Sequence, residues 1–314
     1  MNIINKHYTE LSTLRFLAII LIVNSHLNLF YEYEYFATGG AFGNSLFFFI
    51  SGICLSISLN KNRIPFFHWL KIRYLRIYPK LLFIVIFFIS IGFFKINNMQ
   101  EFLLKILFPL EFWFLPVLMF FYISIYSMII YFNDFLIKLS LIFILIFYCI
   151  GYYFFIDKNS YNIENVILFK SVFYFFVMIM GVFIYRKYNF FNFNPIFSLL
   201  VFIFSFTSYY FIKFIMLKYE IYYFQFFEHI LILLMVLSLF SFLKNKKVLI
   251  IQEIKFINYL ILFISSLSLE IYLVHVYFTK FPLSFFPINF ILFIIFVSFF
   301  AFLLNKFFLM LKLK

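Results

Sequence analysis

The chain has 314 residues, of which 66% are hydrophobic and 12% charged, and a mean hydropathy of +1.07. A soluble domain carries about 45–50% apolar and about 25% charged residues, so a soluble globular protein is excluded. Membrane β-strands are short and alternating, whereas the apolar runs here are long and continuous, which leaves an all-α polytopic membrane protein. On a ruler of about 20 apolar residues per span, range about 17–25, ten segments are expected: 11–30, 42–60, 79–94, 113–132, 138–156, 167–185, 196–217, 224–243, 258–280 and 287–311. No linker, repeat or nucleotide-binding glycine loop interrupts them, so 1–314 reads as one transmembrane domain with its core at about 10–311. No small-residue cleavage site follows the first apolar run, and the first helix is expected to be retained.

The formal charge of +13 reads as basic cytoplasmic loops and not as a nucleic-acid surface. With the N-terminus placed in the cytoplasm, 18 of the 25 Lys and Arg residues fall on the inner side, among them Lys6, the 60–80 loop, the 244–257 loop and the C-terminal end. That bias predicts that both termini are cytoplasmic. The 59 Phe and 24 Tyr, with abundant Ile, Asn and Lys, reflect an A+T-rich genome and carry little functional information. Cys54 and Cys149 lie inside apolar runs and are expected to be buried thiols. No Cys/His pair has zinc-ligand spacing, and no metal is expected.

The polar residues inside the apolar runs need a reason. Residues 14–26 read LRFLAIILIVNSH. An arginine costs about 2.5–3.5 kcal/mol at a membrane helix centre, and here Arg15 and His26 share one run. Eleven residues at 100° each return both side chains to one helix face, about 16 Å apart along the axis. Arg15 alone reads as a snorkelling anchor or as part of a substrate path. His26, with Asn24 and Ser25 beside it, reads as functional or as a helix-to-helix hydrogen bond. The stretch KIRYLRIYP, 71–79, sets Arg73 and Arg76 at i, i+3 on one face. Guanidinium forks suit phosphates, and the competing reading is an ordinary amphipathic basic loop. Pro79 is expected to open the third span. In SLSLEIYLVHVYF, 266–278, Ser268, Tyr272 and His275 share a face at i, i+4, i+7, and Glu270 points elsewhere. His229, after Glu228, reads as a weaker acceptor-side residue near an outer interface. His7 and His68 read as ordinary interfacial or loop residues.

Together these stretches resemble the acyltransferase-3 family of integral membrane acyltransferases. Arg15 and His26 match its Arg-x10-His motif. GNSLFFFISG, 43–52, matches its Gly then Phe-Phe-x-x-Ser-Gly, which brings in Ser51. RYLRIYP, 73–79, matches Arg-x-x-Arg, aliphatic, Tyr, Pro. WFL, 113–115, matches Trp-Phe-Leu and brings in Trp113. SLEIYLVH, 268–275, matches Ser-x-x-x-Tyr-Leu-x-His. The matches run in family order over nearly the whole chain. Glu111 stands where many relatives have His-Leu-Trp, and Ser265 lies near the position of a glycine often found before the last motif.

The resemblance implies a stand-alone, ten-helix enzyme of a bacterial cytoplasmic membrane. It moves an acyl group, by default acetyl, from cytoplasmic acyl-CoA to a hydroxyl of a carbohydrate or lipid-linked glycan, such as lipopolysaccharide, capsule or exopolysaccharide. Arg73 and Arg76 then hold the CoA phosphates and Arg15 lies along the donor path. His26 acts as general base or as acyl-carrying nucleophile; a neutral imidazole suits an apolar site. His275 and Tyr272, with Ser268, Ser51 and Trp113, are supporting residues that orient the acceptor or stabilise the oxyanion. The rival readings are a flippase for lipid-linked glycan, without chemistry, and a glycan polymerase.

Overall fold

A computed structural model of the chain describes residues 9–188, 193–245, 248, 254–280 and 287–311. Lys6, His7, half of the basic 244–257 loop (246, 247 and 249–253) and the extreme C-terminus lie outside the described residues. The described chain is all-α and without strands. Its helices are α1 Thr9–Asn24, α2 Gly40–Lys61, α3 Phe66–Ser90, α4 Met99–Leu107, α5 Phe114–Tyr131, α6 Asp134–Phe155, α7 Ile167–Arg186, α8 Pro195–Tyr219, α9 Phe226–Leu243, α10 Lys255–Ser266, α11 Ser268–Phe278 and α12 Ile288–Met310. Among the described residues, seven helices are long and apolar enough to cross a membrane, or eight if the bent pair α10–α11 is one span. The chain is therefore a multi-pass membrane protein. Each of the ten expected segments overlaps a helix. The differences are physical: α1 has only 16 residues, the first half of α3 carries Lys71, Arg73 and Arg76, and the ninth segment bends by 73° at Leu267.

Helix ends follow local chemistry. The Asn98, Asn133 and Asn194 side chains accept hydrogen bonds from the first-turn amides of α4, α6 and α8, as N-cap residues do. Glu220 closes α8 with a left-handed backbone, φ 56°. Pro79 does not open a helix but sits inside α3, which is continuous from Phe66 to Ser90. Cys149 is exposed on the outer face of α6 rather than buried; in a membrane protein that face meets lipid.

The chain forms two compact units: Met1–Ala18, Ala41–Arg63 and Ser124–Tyr259 in the first, and Ile19–Gly40, Ile64–Ile123 and Leu260–Lys314 in the second. In the first unit α2 and α7 cross backbone to backbone. A Cβ at Gly52 would stand 2.1 Å from the Met178 carbonyl oxygen, and one at Gly181 would stand 2.2 Å from that of Phe49. Small residues permit such approach where lipid offers helices no hydrophobic drive to associate. Arg186 donates to the carbonyls of Ile129 (3.0 Å) and Phe132 (2.7 Å), satisfying acceptors orphaned at the end of α5.

In the second unit a loop folds over the end of α1. Asn24 Nδ2 donates to the carbonyls of Phe36 and Thr38, each at 2.9 Å, and Tyr31 donates to Asn24 Oδ1. Gly40 fits against Ser25, whose Oγ would lie 2.6 Å from an added Cβ. In the same unit α3, α11 and α12 are pinned by a buried ion pair between Lys80 and Glu270. Asn305 donates to the same carboxylate oxygen at 2.9 Å.

Candidate functional site

The polar residues of the ninth segment, Ser268, Tyr272 and His275, lie on α11 in the second unit, a helix buried on most sides, with Glu270, Ile271, Leu273 and Val274 buried as well. His275 is 0% exposed. Its Nδ1 lies 3.2 Å from the carbonyl oxygen of Ile271, one turn earlier. Its Nε2 is buried and has no hydrogen-bond partner among the described residues. The Tyr272 ring stands 5.7 Å from His275 and is held edge-on by Phe112 at 6.1 Å and at a tilt by Phe114 at 5.6 Å.

His26 meets this helix. Its ring centroid is 5.2 Å from that of His275, with the planes at 50°. The path by which it arrives differs from the sequence expectation. α1 ends at Asn24, and His26 lies in the turn beyond, its amide bonded to Val23 at i−3. His26 is exposed, not a wall residue of a continuous helix. The helix on which the 11-residue face was counted thus stops at Asn24, two residues short of His26. At this end the Asn24 side chain binds the returning loop, donating to the carbonyls of Phe36 and Thr38.

The remaining candidates are spread over both units. Arg15 is half-buried on α1 in the first unit, with Nη2 3.7 Å from Cys54 Sγ. Ser51 is half-buried on α2, also in the first unit, beside the crossing glycine Gly52. In the second unit, Arg73 and Arg76 both lie on α3, with Arg73 half-buried and Arg76 exposed. The Arg73 guanidinium lies 5.6 Å from the ring centre of Trp69, which is 1% exposed. Trp113 caps the short turn Leu110–Phe112 and is half-buried. A cavity of about 450 Å³ lies between α3, α11 and α12, walled by side chains such as Phe87, Val274, Tyr277 and Phe307. It offers no cation to a phosphate.

Glu270 and His229 are flagged by the sequence, but the clusters they belong to are not. Glu270, rightly read as pointing away from Ser268, is the anchor of the Lys80 ion pair. Opposite charges inside apolar runs pair with one another, and that signal was available in Lys80 and Glu270. The second cluster is in the first unit. His229 is 2% exposed and stacks on Phe173 at 3.9 Å. Its Nε2 bonds Glu164 at 2.7 Å and its Nδ1 bonds the Tyr148 hydroxyl at 2.8 Å. Tyr174 donates to the other Glu164 oxygen at 3.1 Å. Burial pushes the Glu164 carboxyl up, but His229, Lys170 and Tyr174 outweigh it and hold it below the ordinary range. With both nitrogens of His229 satisfied, this network rigidifies the fold.

A family model described as an acyltransferase domain matches residues 8–306. No curated protein and no solved structure matches the chain.

Proposed function

Because this chain belongs to the acyltransferase-3 family, we propose that it moves an acyl group, acetyl by default, from acyl-CoA to a carbohydrate hydroxyl of the cell envelope. The observation that carries the reading is the pair of imidazoles at 5.2 Å, one exposed and one buried. His26 is accessible to substrates and supplies the base. The attacking hydroxyl gives it a proton, and the thioester carbon–sulfur bond breaks. A positioned base of this kind contributes about 10²–10⁴-fold. Arg73 and Arg76, on the basic half of α3, grip the CoA phosphates, and the indole of Trp69 steadies the Arg73 guanidinium as a cation–π partner. Arg15 serves donor placement from α1. Tyr272 and Ser268 orient the acceptor, with Trp113 and Ser51 supporting. The protein sits in a bacterial cytoplasmic membrane with ten spans and both termini inside, as the basic asymmetry favours.

The test is NMR of the purified envelope glycan from cells with the gene, without it, and with His26→Gln at wild-type expression. O-acetyl signals present only with the wild-type gene support the reading. Normal acetylation by His26→Gln, which keeps a hydrogen-bonding group but no base, rejects the role of His26. For the donor site, Arg73→Lys is expected to restore only part of the acetyl-CoA affinity lost in Arg73→Ala, because lysine lacks the planar fork. Full equivalence of Lys points to an ordinary basic loop.

A further inference from the structure

The bond between His275 and Ile271 decides where the His275 lone pair is. A backbone carbonyl oxygen only accepts, so Nδ1, 3.2 Å from it, carries the hydrogen. A neutral imidazole has one N–H, and its other nitrogen is an acceptor. The acceptor is therefore Nε2, which is buried and has no partner among the described residues. A buried acceptor left unpaired is destabilising, and the His275 ring stands 5.2 Å, centroid to centroid, from that of His26. Of the titratable groups around it, Tyr272 is the other ring in contact. Glu270 lies five residues back, about 140° around the helix, and is engaged by Lys80 and Asn305.

We propose that His275 is the positioning residue of a two-histidine relay, in which its Nε2 accepts the ring N–H of His26. This rests on the acyl-transfer reading above and adds the group that orients the base. Holding one nitrogen of His26 as N–H leaves the other as a lone pair facing the substrates. The acceptor hydroxyl oxygen then attacks the thioester carbonyl carbon, its proton passes to that nitrogen, and the carbon–sulfur bond breaks. The departing CoA thiolate takes the proton back from His26. His275 keeps its own proton throughout and stabilises the His26 imidazolium by accepting its N–H. The orienting group of a serine-protease triad acts in the same way on its histidine, but here the acceptor is neutral.

The experiment uses the full chain in lipid nanodiscs with ¹⁵N-labelled histidine, acetyl-CoA as donor probe and, for the thiol-release arm, envelope glycan purified from cells lacking the gene as acceptor. In the wild type, His275 is expected as the Nδ1–H tautomer. In His275→Phe, which fills the space without an acceptor, the titration midpoint of His26 is expected to fall by about one pH unit, a tenfold change. Thiol release from acetyl-CoA should fall about 10²-fold with acetyl-CoA affinity unchanged. His275→Gln, which offers an amide oxygen, should return the His26 midpoint toward the wild-type value. A His26 midpoint unchanged in folded His275→Phe overturns the proposal. Should that variant not fold, an Nε2–H tautomer of His275 in the wild type overturns it equally. Absence of thiol release in the wild type would count against the acyl-transfer reading alone, since the titration reports the relay without turnover.

Discussion

Gly52→Ala is expected to be among the most damaging single-methyl additions in the first unit. The added Cβ would stand 2.1 Å from the Met178 carbonyl oxygen and 3.1 Å from the Val182 amide nitrogen, where ordinary contact begins at 3.4 Å. The obstruction is backbone, which has no rotamer with which to yield, so α2 and α7 must separate by about 1 Å. The same crossing is tight from the other side at Gly181, and it buries Phe48, Phe49, Ile53, Met178 and Val182 at 0–1% exposure. Overpacking a dense core costs about 1–3 kcal/mol, occasionally more; a backbone clash that spreads two helices belongs at the upper end, about 3 kcal/mol. That is roughly a hundredfold in the folded ratio, out of a total stability of about 5–15 kcal/mol. The assay is heating of the detergent-solubilised protein, fused to a fluorescent reporter, followed by size-exclusion chromatography. Gly151→Ala serves as control, since its Cβ would meet Phe169 at an ordinary 3.4 Å and alanine favours helix by about 0.8–1.0 kcal/mol. If Gly52→Ala and Gly151→Ala melt together at the wild-type temperature, the backbone-to-backbone crossing is refuted.

Further outcomes follow from the buried polar groups. Lys80→Met strands the Glu270 carboxylate with Asn305 alone and should cost about 3–5 kcal/mol, whereas Lys80→Met with Glu270→Leu should recover most of it; additive losses in this double-mutant cycle would deny the pair. Gln225 is 0% exposed and makes four hydrogen bonds to the backbone of Asp157, Ser160, Asn162 and Ile163. Gln225→Ala should cost about 2–4 kcal/mol and open the 156–166 loop to protease, and unchanged cleavage would contradict that anchoring. The folded Glu164 carboxyl is held low, so its contribution is present above the unfolded value of about 4.3 and is lost as pH falls through the folded one. Melting temperature should therefore drop on acidification below about pH 4.3 in the wild type, and less in Glu164→Gln; parallel acid limbs would remove Glu164 from the account.

Periodicity made the α11 residues legible. Ser268, Tyr272 and His275 recur at helical spacing, and all three are buried on a helix of only 11 residues that buries Glu270, Ile271, Leu273 and Val274 as well. The same reasoning holds for Arg73 and Arg76, because α3 remains helical through both. Periodicity failed at His26 for a reason that no local pattern contains. α1 stops at Asn24, whose side chain binds carbonyls 12 and 14 residues later, and apolar content alone reads straight through that stop. Pro79 misled in the opposite direction. Its position suggests a helix start, but proline inside a membrane helix is tolerated where neighbours re-satisfy the freed carbonyl, and α3 continues through it. Glu270 and Lys80 are 190 positions apart, and His229 and Glu164 are 65 apart; charge and burial flag each residue, but only the fold pairs them.

The motif residues divide by what their atoms meet. The rings of His26 and His275 stand 5.2 Å apart, and in the proposed relay it is their side-chain chemistry that matters. Gly52 lies in an equally recognisable stretch, FFFISG, yet its contribution is the absence of a side chain where the Met178 carbonyl passes. A residue-by-residue transfer of family motifs onto a catalytic site would therefore place Gly52 and its neighbour Ser51 in the chemistry. The crossing of α2 and α7 accounts for Gly52 without any substrate. Ser51 must then be judged by its own substitution: Ser51→Ala removes a hydroxyl without adding bulk to the crossing. A loss of glycan acetylation at unchanged melting temperature would assign Ser51 to the acceptor, and a loss of both together would assign it to the packing that Gly52 serves.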